Sequence, residues 1–180
     1  MRKLLAVCIL TALLMAAQQT RRDEVLPSGA AEDSRPNNPD VPDVYGIRSQ
    51  FDHLVILRFK YQTDLLAGME KMVKEQRIKN AVILTAIGSV RNYHVHLVSN
   101  RTFPLRQAFI KDPTAPADVI GMSGYVINGQ IHAHLTMADA GKAFGGHLEP
   151  GTNVFTFVAV TMGVLADGTD ISRIDDKTYR

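Results

Sequence analysis

The dipeptide Asn128-Gly129 constrains this chain more than any other feature. Both residue types tolerate positive φ, which makes Asn-Gly the preferred two-residue turn of a β-hairpin. The residues on either side agree. On 130–137, Ile131, Ala133, Leu135 and Met137 alternate with His132, His134 and Thr136. A strand sends alternate side chains to opposite faces, so the first set lines one side and the two imidazoles the other. Residues 118–127 supply an apolar strand before the turn. The two segments are expected to pair antiparallel.

The remaining elements follow from period and punctuation. Residues 53–59 read as a strand. Thr63 or Asp64 can cap a helix, along which Leu65, Leu66, Met69, Met72 and Val73 recur at helical spacing to about Ile78. Methionine in such a stripe is core filler rather than a ligand. Residues 81–87 form a short apolar strand ended by Gly88, and further strands are expected at 92–98, 102–110 and 153–165. One main helix and about seven strands make an α+β domain around a mostly antiparallel β-sheet. The domain is placed at 51–166, with a C-terminal tail over 167–180.

The segment before the domain has two parts. Arg2 and Lys3 precede an apolar run from Leu4 to Ala17, interrupted by Thr11 and followed by polar residues. That order is a secretory signal peptide over 1–17; the other reading is an uncleaved N-terminal anchor. The run falls short of the ~18 apolar residues of a membrane span. Residues 18–50 carry Pro27, Pro36, Pro39 and Pro42 among polar residues and are expected to be a flexible linker, with ordered coil over the last ten as the alternative. Export would place the protein in the periplasm or outside the cell. Cleavage removes Cys8, the sole cysteine, leaving a chain with no thiol and no disulfide. Loss of Arg2 and Lys3 takes the formal charge from +2 to about 0. A neutral chain has no long-range attraction for nucleic acid or anionic lipid, so neither nucleic acid nor membrane is expected as a partner.

The chemistry lies in the histidines. His132 and His134 on one strand face form a bidentate metal claw, or else a solvated polar face. His147 follows thirteen residues after His134, behind Gly145-Gly146, and two glycines permit a tight backbone return. Three neutral imidazoles and one open position are the pattern of catalytic zinc sites. A second pair, His94 and His96, shares a face with Val98. It reads first as a sheet face; its functional alternative is a fourth ligand or a general base.

Four stretches in order, Ile87-Gly88-Ser89-Val90, Gly121-Met122-Ser123-Gly124, His132-Ala133-His134-Leu135 and Gly145-Gly146-His147-Leu148 with Gly151, resemble the PPC ("plants and prokaryotes conserved", DUF296) domain. The resemblance spans roughly 52–166 and implies a compact α+β fold, a homotrimer and, as in many prokaryotic members, zinc on His132, His134 and His147. Arg58 falls where the family usually has an arginine. Plant members join the domain to AT-hooks and bind DNA, but this chain has no Arg-Gly-Arg-Pro hook. The fold is similar to that of acetolactate decarboxylases, which implies lyase or hydrolase chemistry at the open position.

Within that frame Glu149, two residues beyond His147, is the candidate acid or base, and Arg58 the candidate clamp for an anionic group. Asp139 could instead orient an imidazole. The functional classes are an exported zinc enzyme acting on a small carbonyl or ester ligand, a non-catalytic trimeric binding module, and a DNA-binding protein by family analogy alone. Asn100-Arg101-Thr102 is a glycosylation sequon, relevant only in a eukaryotic secretory pathway.

Overall fold

The computed structural model describes residues 21–29 and 38–176. The expected signal peptide, 1–17, lies outside the described residues, as does part of the expected linker. Eight strands and one α-helix are described, in the order β1 (Arg22–Pro27), β2 (Phe51–Lys60), α1 (Leu65–Glu75), β3 (Ala81–Val98), β4 (Arg106–Asp112), β5 (Ala117–Ile127), β6 (Gln130–Ala138), β7 (Ala143–Leu148) and β8 (Asn153–Leu165). All eight strands join one sheet, and their pairings are antiparallel.

The expected hairpin forms. Asn128 (φ 51°) and Gly129 (φ 80°) make the turn between β5 and β6, and Ile127 pairs with Gln130, Tyr125 with His132 and Ser123 with His134. Ala133, Leu135 and Met137 point inward and are at most 1% exposed, as the alternation predicts. Asp64 caps α1 by accepting from Ala67 N at 3.0 Å. Leu65, Met69 and Val73 are buried in one core with Leu57 and Phe59 of β2.

Three expectations change. The strands expected at 81–87 and 92–98 are one 18-residue strand that runs through Gly88. Its first half lies between β8 and β5, its second between β4 and β7. Register shifts near Ile83, Gly88 and Val90 let one strand serve four partners. Second, residues 22–27, inside the expected linker, form β1 against β4, with Val25 opposite Ala108; an edge strand draws its stability from backbone pairing and needs little apolar content. Third, His147 lies on β7, not on a loop return.

The last difference shapes the site. β7 pairs with β6 on one side and with the end of β3 on the other. The pairings β3–β5, β5–β6, β6–β7 and β7–β3 therefore close a ring. Gly145 and Gly146 sit within β7 because the backbones crowd there. A Cβ on Gly145 would meet Leu135 O at 2.1 Å, and one on Gly146 would meet His96 O at 2.4 Å.

Candidate metal centre

The ring places four histidines in one patch. His134 is the register partner of His147, and His147 that of His96. Three imidazoles thus stand in a row across β6, β7 and β3, with His132 two residues along β6. The rings of His132 and His134 stack at 5.4 Å and 12°. His147 meets them edge-on, at 4.7 Å from His132 and 5.4 Å from His134. Ligand atoms of His132, His134 and His147 all lie within 4.8 Å of one another.

One separation in the set equals that expected around a tetrahedral ion. Nitrogens bonded at about 2.05 Å to a tetrahedral zinc stand roughly 3.3 Å apart. The Nε2 atoms of His132 and His134 are 3.3 Å apart. The protonation state also fits a donor set. Burial, then the neighbouring His96, His132 and His134, lower the His147 pKa from 6.5 to about 4. Burial first, then His132 and His96, lower that of His134. A lowered pKa keeps these two imidazoles neutral near pH 7, which is the ligand form.

Glu149 and His96 complete the patch. His96 Nδ1 lies 2.5 Å from Glu149 Oε1, with the two side chains 17% and 22% exposed. A carboxylate oxygen accepts, so Nδ1–H donates, and His96 Nε2 accepts from the Gln107 amide at 3.1 Å. The His96 ring lies 4.6 Å from that of His147. His96, His147 and Glu149 also bring three ligand atoms within 4.8 Å. His94 takes no part. Its Nδ1 is 2.9 Å from Pro150 O, and its ring lies toward Phe109.

Two candidates lie elsewhere. Arg58 is on β2, whose partner is β8, and its guanidinium covers the Phe157 ring at 5.6 Å; it is not grouped with the histidines. Asp139 shapes the β6–β7 turn, with Oδ1 accepting from Gly141 N at 2.8 Å and Lys142 N at 2.9 Å. One residue was not anticipated. Asp175 lies on the short 3₁₀ turn Ser172–Asp175, and its Oδ2 is 2.8 Å from His132 Nδ1. Nothing in the spacing around Asp175 announces that contact, because the partner is 43 residues away. A cavity of about 400 Å³ borders His132 and His134; Val82, Tyr125, Ile127 and Ile174 are among its lining residues.

Comparison with known proteins bears on the fold and the family. A metal-containing protein of Archaeoglobus fulgidus superposes with a TM-score of 0.58 at 22% identity, over 71% of this chain and 88% of that one. A plant- and prokaryote-conserved protein of Pyrococcus horikoshii gives 0.57 at 19% identity, over 70% and 87%. The Synechococcus bifunctional protein GlmU is 29% identical over 108 residues, 59% of this chain. The chain spans only 16% of that protein's length. Residues 48–166 match the family model for the Plants and Prokaryotes Conserved domain. With an eight-stranded antiparallel sheet and one α-helix among the described residues, and this match over most of its length, the chain belongs to the Plants and Prokaryotes Conserved (PCC) domain family.

Proposed function

We propose that this chain is an exported zinc protein in which His132, His134 and His147 hold one ion, with a fourth position open to a small substrate. The observation that carries the reading is the 3.3 Å separation of the two Nε2 atoms, with the third imidazole within 4.8 Å. The lowered pKa of His147 supports it, as does the description of the Archaeoglobus fulgidus neighbour as metal-containing. Three neutral imidazoles suit zinc.

A zinc ion there would polarise a carbonyl or bring bound water toward a pKa of ~7. The chain's own contribution is an acid–base pair. Glu149 accepts from His96, and the His96 ring lies against that of His147, so the pair is placed to relay a proton at the edge of the site. Among the described residues, the adjacent cavity is lined by Val82, Ile83, Ile127 and Ile174 with Ser123, Tyr125 and Asp175. A wall largely of aliphatic side chains suits a small ester or carbonyl compound as substrate, and the activity is a lyase or hydrolase.

Assembly and export belong to the same proposal. Leu54, Ile56, Ile87, Ile120 and Phe155 are 47–71% exposed on β2, β3, β5 and β8. An apolar surface of that kind marks an interaction face, and the family resemblance points to a homotrimer. N-terminal sequencing of protein from the periplasm or culture fluid reads the export claim, with a start near residue 18 expected and Met1 the contrary result.

The test is a screen of small neutral esters and ketones against metal-loaded wild type and Glu149→Gln. Turnover that a chelator abolishes is expected. Glu149→Gln should retain zinc and lose about 10²–10⁴ in rate. A zinc-loaded wild type inactive across the screen favours the non-catalytic binding module.

A further inference from the structure

The segment after β8 runs beyond residue 166, where the family match ends, yet it is seated firmly. Ile171 is 3% exposed. Asn80 Nδ2 donates to the Thr169 carbonyl at 2.8 Å, and the Thr169 and Ser49 hydroxyls are 2.8 Å apart. This seating carries Ile174 and Asp175 to the wall of the cavity that borders His132 and His134, and sets Asp175 Oδ2 2.8 Å from His132 Nδ1.

The atoms decide what that contact does. A carboxylate oxygen accepts hydrogen bonds, so the proton of the neutral imidazole sits on Nδ1. Nε2 then keeps its lone pair. Nε2 is also the atom 3.3 Å from His134 Nε2. The tail thus selects, for His132, the tautomer and the ring orientation that turn the Nε2 lone pair toward the ion's position, where without metal it accepts from His134 Nε2–H.

We propose that Asp175 is a positioning residue of the metal centre, fixing His132 as the Nδ1–H tautomer and aiming Nε2 at the ion. The proposal rests on the metal reading above. A carboxylate behind a metal-bound histidine sets its orientation and basicity, and its loss typically costs 10–100-fold in metal affinity. As a plain ion pair the contact would count for little in folding, because the two side chains are 37% and 47% exposed. That contrast separates a metal role from a structural one.

The experiment uses the full mature chain as wild type, Asp175→Ala and Asp175→Asn. Zinc affinity is measured by chelator competition at pH 7.5, urea midpoints are measured without metal, and imidazole ¹⁵N spectra are recorded on the metal-free protein. Asp175→Ala should keep the wild-type urea midpoint and bind zinc 10–100-fold more weakly. Asp175→Asn, whose Oδ1 still accepts from Nδ1–H, should recover part of the loss. The wild-type spectrum should show His132 protonated at Nδ1, and Asp175→Ala should shift protonation toward Nε2. Wild-type zinc binding that Asp175→Ala leaves unchanged overturns this proposal alone, as does an Nε2-protonated His132 in the wild type. A wild-type chain that binds no zinc, with the Nδ1–H tautomer in place, overturns the metal reading and the positioning role with it.

Discussion

Replacing Gly145 by alanine tests whether the closure of β7 onto β6 builds the site. The added Cβ would stand 2.1 Å from Leu135 O, against an ordinary carbon–oxygen approach of about 3.3 Å. The obstacle is backbone, so no side chain can swing aside, and the strands must part by about 1 Å. Overpacking of this kind costs roughly 1–3 kcal/mol. Weakening the two nearest ladder hydrogen bonds, around the pairs Thr136–Gly145 and Leu135–Gly146, adds about 1 kcal/mol each. The expected loss is therefore ~3–5 kcal/mol. The same displacement carries His147 well outside the ~0.2 Å tolerance of a zinc–nitrogen bond. Gly121 of β5 is the matched control, since a Cβ there meets nothing nearer than Thr136 Cβ at 4.0 Å. Urea unfolding with chelator present measures the first effect and zinc competition the second. Gly121→Ala should stay within about 0.5 kcal/mol of wild type. If Gly145→Ala is as stable as Gly121→Ala and binds zinc as tightly, the crowding argument is wrong.

Two further predictions concern pH and assembly. The His147 pKa is lowered on folding to about 4, so the unfolded chain takes up its proton first. Metal-free stability should be full above pH ~6.5 and fall as pH drops toward 4, by on the order of 1–2 kcal/mol after allowance for partial exposure. Urea midpoints from pH 7.5 to 4.5 check this, and His147→Asn should flatten that part of the profile. Light scattering of the wild type should give a trimer at micromolar concentration. Ile56→Asp, at a side chain 71% exposed, should dissociate it with the monomer still folded; a mass unchanged by the substitution would remove this face from the interface.

What could be read from the sequence was local. The hairpin, the inward face of β6 and the cap at Asp64 each depend on residues within a few positions of one another, and all three are found. β7 is not legible because glycine is a poor strand former by propensity. Gly145 and Gly146 are needed for a contact with β6 and β3 that no local pattern encodes. The continuity of β3 through Gly88 is hidden for the same reason, since a glycine that ends a strand and one that admits a neighbouring backbone look alike in sequence. At the site, the grouping of His132, His134 and His147 was legible from strand period and chain order. Their neighbours were not. In sequence Glu149 is near His147 alone, whereas its partner is His96, 53 residues away. Arg58 and Asp139 were plausible by chain position but are engaged with Phe157 and with the β6–β7 turn.

The central claim is that one zinc ion is held by His132, His134 and His147, and metal content of purified protein tests it most directly. Wild type, the five alanine variants at His94, His96, His132, His134 and His147, and Glu149→Gln are loaded with zinc, dialysed, and assayed for stoichiometry and affinity at pH 7.5. The account predicts about one zinc per wild-type chain. Each of His132→Ala, His134→Ala and His147→Ala should weaken binding by orders of magnitude, because each removes one of three protein ligands. His94→Ala, His96→Ala and Glu149→Gln should retain zinc. If His96→Ala and Glu149→Gln lose the ion while His132→Ala keeps it, the ion sits on the neighbouring set of His96, His147 and Glu149, and the assignment is wrong.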